Sequence, residues 1–272
     1  MRPEMFSLRR VAAILLRQYY LMRGSAARVV PLFAWVAVDI LLWGFITRYL
    51  NAVSNAGFNF VPALLGAVLL WDFLTRVMQG VTMTFFEDVW SRNFLSLFAS
   101  PLSVNEYLTG LVASSIITST VGLVVMIIVA TFAFGLSFFM YGLLFMPFLL
   151  ILFLSGIALG IFGSALVLRL GPAAEWFVWP IPALVSPFVG VFYPLSVLPG
   201  WMHAIARALP PSYVFQGMRA LVEHKEFSPG LLAVGGALAV LYVWLAGWTF
   251  TRVYRHAVRT GLIARYSAET VN

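Results

Sequence analysis

Residues 107–134 read YLTGLVASSIITSTVGLVVMIIVATFAF, and residues 141–168 read YGLLFMPFLLILFLSGIALGIFGSALVL. Neither run holds an Asp, Glu, Lys or Arg. Wound at about 1.5 Å per residue, each is long enough to cross roughly 30 Å of hydrocarbon. A helix facing water on one side would alternate polar and apolar faces, and these two do not. They mark an all-α, polytopic membrane protein, and the rest of the chain extends the pattern. A membrane barrel would need short alternating strands, which are missing.

Composition agrees. The chain of 272 residues is 62% hydrophobic and 10% charged, with a mean hydropathy of +0.95. Soluble domains run near half apolar and a quarter charged, so water is not the main solvent of this one. The net charge is +7, but the arginines sit mostly at the ends of apolar runs, which points to membrane orientation and not to nucleic acid. Cysteine is absent, which excludes disulfides, thiolate metal sites and thiol nucleophiles. Arg9, Arg10, Arg17 and Arg23 interrupt the N-terminal stretch, so no removable signal peptide is expected.

Working outward from the two runs, a first span is expected over residues 29–50 and a second over 60–86. A charged connector, 87–103, leads into the third. After the fourth, the segment 176–194 carries Pro180, Pro182 and Pro187, and is expected as a kinked fifth span because proline removes backbone donors. Residues 195–227 contain Pro199, Gly200, Pro210 and Pro211, too broken for a crossing and too apolar for a free loop. Two short re-entrant or interfacial helices fit. Ser228 and Pro229 make a cap and first-turn pair opening the last span, 229–251.

At the N-terminus, Leu8, Ala12, Leu15, Tyr19 and Met22 recur at spacings of three and four, with Arg10 and Arg17 on the other side. This predicts an amphipathic helix lying in the membrane surface. With both termini in the cytoplasm, thirteen of the seventeen basic residues fall inside or at the inner boundary, and only Arg48, Arg207, Arg219 and Lys225 outside. That bias favours six spans over five or seven. The expected organisation is one permease domain: residues 1–28 as a cytoplasmic interfacial helix, 29–251 as a six-span bundle, and 252–272 as a basic cytoplasmic tail.

Candidate functional groups are few. Asp72, Arg76, Gln79 and Thr82 share one face of the second span, and Asp39 is a second intramembrane acid without a sequence-local partner. Such groups are costly in lipid, so they face protein or water, either as a buried ion pair or along a substrate path. In the connector, Glu87, Asp88 and Arg92 mix with Trp90, Phe94 and Phe98. As an amphipathic helix this segment would offer an apolar face to a partner's groove, or pack beneath the bundle. Gly110, Ser114, Thr118 and Gly122 repeat every four residues in the third span, as do Gly156, Gly160 and Ser164 in the fourth. That spacing lets helix backbones approach closely. His203, His224 and His256 lack metal-site spacing. Lys225 is the only lysine, so the chain holds no GxxxxGK[ST] phosphate loop. Most of the tryptophans read as interfacial anchors.

The stretch FYPLSVLPGWMHAIARALPPSYVFQGMRAL, residues 192–221, resembles the C-terminal signature of the second family of ABC exporter permeases. Phe192, Tyr193, Pro194, Ser196, the Leu198-Pro199 pair, Leu209, Pro210, Tyr213, Gly217 and Arg219 carry the likeness. The connector FLSLFASPLSVNEYLTG, with Ser100, Pro101, Leu102 and Glu106, is similar to that family's segment between its second and third spans. The resemblance implies a dimer of permeases, most simply a homodimer, in the bacterial inner membrane. Beneath it two cytoplasmic ATP-binding subunits would carry ATP and Mg, with no cofactor in this chain and no nucleic acid as partner. It also implies a coupling helix at residues 87–99 and an exit-side cap at 194–223. The cargo would be a lipid-linked glycan, a glycolipid or a hydrophobic drug. Asp39, Asp72 and Arg76 match no signature position, and their place in a conduit rests on electrostatics alone. The competing reading is an ion-coupled secondary carrier built on those three residues. No inverted repeat of the kind such carriers often show is visible.

Overall fold

The computed structural model describes residues 6–53, 64–91, 96–97, 100–136, 145–224 and 229–262. Among these the chain is all-helical, 89% helix without strands. In order it forms α1 (Leu8–Arg23), α2 (Ala26–Val53), α3 (Gly66–Trp90), α4 (Val104–Phe134) and α5 (Phe145–Leu170). There follow the short helices α6 (Glu175–Val178), α7 (Ile181–Val189), α8 (Gly200–Ala208) and α9 (Pro210–His224), and finally α10 (Pro229–Arg259). Three helices, α4, α5 and α10, are by length and apolarity able to cross a membrane among the described residues.

The core is one cluster centred on α3 and α5. Leu74, Val77, Val81, Phe85 and Leu152 are fully enclosed within it. α3 is sandwiched between α4 and α5, α5 packs broadly on α10, and α1 and α2 lie against α4. The small residues explain how this close packing is reached. A Cβ on Gly156 would stand 2.7 Å from the Leu74 carbonyl oxygen, and one on Gly160 would stand 2.9 Å from that of Met78. On the other flank of α3, Ser115 donates to the Val77 carbonyl at 2.8 Å and Thr84 to Ser114 at 3.3 Å. The four-residue repeats therefore hold helices together, although Gly110 receives Ile14 of α1 and Gly122 receives the stem of Arg76 instead of a neighbouring backbone.

The bundle has a basic end, where α3, α5 and α10 finish and α4 begins, and an opposite end, where α7 finishes and α10 begins. Ser103 and Glu106 form a capping box that starts α4, and Gly135, at a φ of 66°, stops it in the left-handed conformation. Two expected boundaries move. The fifth segment breaks at Trp179 and Pro180 into α6 and α7, because proline cannot continue the ladder. From Glu175 to Val189 it rises only about 21 Å. The last helix continues past Thr251 to Arg259, so the expected basic tail opens as helix over its first eight residues.

Candidate functional site

At the basic end the first turn of α4 presents Glu106, fully enclosed, whose carboxylate collects three donors. Its Oε1 accepts the Ser7 N–H at 2.6 Å, and its Oε2 accepts the Ser103 N–H at 2.9 Å and the Arg10 guanidinium at 3.2 Å. Arg10 also donates to the Pro101 carbonyl. Further into α1, Arg17 forms an ion pair with Asp88 in the last turn of α3. Asp88 is 1% exposed, and its other oxygen accepts the Tyr107 hydroxyl at 2.8 Å. α1 is thus clamped at two points, to α4 and to α3.

The face of α1 that meets protein is one other than the apolar stripe. Val11, Ile14 and Gln18 are buried with the two arginines turned inward, while Leu8 and Tyr19 of the apolar stripe are 74% and 57% exposed. Two guanidiniums beside enclosed carboxylates decide the docking, since each buried charge needs a partner.

The connector residues divide. Glu87, Asp88 and Trp90 belong to α3 and do not start a separate helix. Asp88 faces inward, so it is closed to any partner protein in this arrangement. Trp90 is half exposed, rests on Phe86, and donates its indole N–H to Glu175 at 2.9 Å, linking the end of α3 to the start of α6. Arg92, Phe94 and Phe98 lie outside the described residues.

Inside the bundle, Asp72 and Arg76 of α3 are joined by Asp39 of α2, close enough for all three charges to interact. The Oδ2 of Asp72 is sealed from solvent and accepts no hydrogen bond. Arg76 extends across Gly122 of α4, where a Cβ would stand 3.1 Å from its Cδ. Gln79 is half-buried, and Thr82 is enclosed, donating to the Met78 and Gln79 carbonyls at 3.1 and 3.2 Å. The polar stripe therefore splits into a charged cluster and a self-satisfied helical turn.

At the opposite end the signature residues build a hairpin. α8 enters, the chain turns at Leu209, and α9 returns along α5 and α10. Its tip is deep: Tyr242, thirteen residues after Pro229 and so roughly 20 Å along α10, donates to the Ala208 carbonyl at 2.9 Å. Pro199 caps α8, and Pro210 opens α9 where a missing N–H costs nothing. Tyr213 donates to the Arg207 carbonyl at 2.8 Å and Ser212 to that of Ala206 at 2.6 Å, closing the turn. Tyr193 donates to the Pro187 carbonyl at 2.6 Å, next to Pro194, which begins the following short turn. Gly217 admits Phe148, whose ring would be 2.9 Å from a Cβ there. Arg219 donates to the carbonyl of Gly190, the left-handed residue ending α7, at 3.0 Å.

Among the described residues no group of three His, Asp or Glu is placed to hold a metal. Over residues 11–222 the sequence matches the family model described as ABC-2 type transporter. No curated protein matches the chain.

Proposed function

The chain belongs to the ABC-2 type transporter family, and we propose that it is the membrane-embedded permease of an ATP-driven exporter whose ATPase is a separate cytoplasmic subunit. The observation that carries this is the family match across a multi-pass membrane chain that contains no phosphate-binding loop of its own. In this reading α2, α3, α4, α5, the α6–α7 element and α10 are six spans, with the α8–α9 hairpin re-entrant at the outer face. The basic end is cytoplasmic, which places both termini inside the bacterial inner membrane's cytoplasmic boundary. α1 lies in the inner surface with Leu8, Leu16, Tyr19 and Tyr20, all exposed, toward lipid.

Force from the ATPase enters at the end of α3 and spreads along the clamps, through Asp88 and Arg17 to α1, and through Trp90 and Glu175 to α6. Two copies of the chain, related by a two-fold axis, enclose a path that one narrow bundle cannot. The cargo is amphipathic or hydrophobic: a lipid-linked glycan, a glycolipid or a drug. A second reading, an ion-coupled carrier, is favoured by the cluster of Asp39, Asp72 and Arg76, with its sealed carboxylate oxygen.

Proteoliposomes discriminate the two. The chain is isolated from its source membranes in mild detergent, so that bound subunits stay with it, and reconstituted. Export of a fluorescent lipid or hydrophobic dye that requires ATP and stops when the co-purified subunit's ATPase is inhibited is the expected result. Accumulation driven by a proton or sodium gradient alone would transfer the function to the charged cluster.

A further inference from the structure

An open groove of about 480 Å³ runs between the start of α4 and the end of α10. Asn105 and Leu108 form one wall; Trp244, Trp248, Arg252 and Arg255 form the other. The four α10 residues recur every three or four positions, so they line one face of the helix. Gly247, also lining the groove, has nothing within 4 Å of where a Cβ would stand, and the missing side chain keeps the floor open.

Depth and charge together specify an occupant. Arg252 comes 23 residues after Pro229, roughly 35 Å along the helix, about the thickness of the hydrocarbon, so it stands at the headgroup level of the basic end. Trp244 and Leu108 lie in the apolar zone that acyl chains fill. The Arg252 guanidinium is 4.2 Å from the Trp248 ring centroid, an attraction that holds it over the groove. Among the described residues neither Arg252 nor Arg255 pairs with a carboxylate, and both are exposed. Two adjacent guanidiniums above an apolar slot complement a phosphodiester carrying two acyl chains.

We propose that this groove binds one anionic phospholipid of the cytoplasmic leaflet, its phosphate held by Arg252 and Arg255 and its acyl chains lying along Trp244 and Leu108. The proposal rests on the membrane placement of α10 and on the cytoplasmic orientation of the basic end in the proposed function, and stands whether ATP or an ion gradient drives transport.

The test uses the full chain, with any subunit that co-purifies, delipidated in detergent and titrated with phosphatidylglycerol or phosphatidylcholine. Native mass spectrometry counts bound lipid, and thermal stability gives a second readout. The wild type should hold one phosphatidylglycerol in preference to phosphatidylcholine. R252Q/R255Q should bind it about thirtyfold more weakly, and R169Q, which removes a charge outside the groove, should bind as the wild type does. R252K/R255K, which keeps the charge, covers the case in which the glutamine variant does not fold, and should retain the preference for phosphatidylglycerol with reduced affinity. Equal binding of the two lipids by the wild type, or equal weakening by R169Q, would overturn the proposal. Displacement of the lipid by millimolar glycerol phosphate would overturn it too, because the site would then recognise the free phosphate and not the lipid.

Discussion

Arg17 and Asp88 form an ion pair that ties the N-terminal helix to the last turn of α3, with the Tyr107 hydroxyl completing the carboxylate's shell. Asp88 is almost wholly enclosed whereas Arg17 keeps about a quarter of its side chain exposed. Removing the arginine strands a buried anion; removing both leaves only a small polar gap. Arg17→Ala should therefore cost on the order of 3 kcal/mol of stability, discounted for the exposed side of the pair, and the double variant R17A/D88A less than the sum of the single changes. Thermal unfolding in detergent, analysed as a double-mutant cycle, measures this, and additive losses would dissolve the pair.

The close approach of α3 and α5 gives a sharper test, because the neighbours are backbone. A methyl on Gly156 would sit 2.7 Å from the Leu74 carbonyl oxygen. Gly156→Ala should destabilise by about 1 to 3 kcal/mol through overpacking. Gly236→Ala, in α10 with nothing within 4 Å, should be neutral or stabilise by up to about 1 kcal/mol. Unfolding midpoints compare the pair directly.

These two sites show where the sequence was legible. The Gly156, Gly160 and Ser164 repeat carries its own spacing, and spacing along one helix survives folding, so close packing is readable from the residue pattern alone. Charge partners across helices do not follow from spacing. Arg10 and Arg17 look like the solvated side of an amphipathic helix until Glu106 and Asp88, more than seventy residues away, are brought beside them. A signal existed for Glu106: Ser103 three residues earlier makes the capping-box pattern, which fixes that carboxylate at a helix start. Asp39 joining Asp72 and Arg76 had no such signal, since its partners lie on another helix. The prolines of residues 176–194 announced a break, but not that the fifth segment would shorten to two short helices. The hairpin of α8 and α9 was legible for the same reason in reverse, as Pro199, Pro210 and Pro211 punctuate it.

Arg219 ends α7 from a distance by donating to the Gly190 carbonyl, one of the orphan acceptors at a helix C-terminus. Arg219→Ala should loosen the chain between α7 and α8 by roughly 2 kcal/mol, the worth of a charged hydrogen bond. Hydrogen exchange over residues 187–199 should accelerate while α4 is unchanged. Arg219→Lys should restore part of the protection, since it returns the charge but not the planar fork.

Trp90 tests whether the end of α3 moves α6. Trp90→Phe keeps an aromatic ring against Phe86 but deletes the N–H that Glu175 accepts. The bond is exposed, so its loss should cost only about 1 kcal/mol and leave the fold intact. If the contact transmits force, the permease–ATPase complex bearing Trp90→Phe should hydrolyse ATP at the wild-type rate yet export several-fold less cargo per ATP. Glu175→Gln, which can still accept from the indole, should fall between the two. Cargo and phosphate counted in the same proteoliposomes give the ratio. A ratio unchanged in Trp90→Phe but lowered in Trp90→Ala would assign the indole to packing alone, and the route from α3 into the bundle would then run through Asp88 and α1.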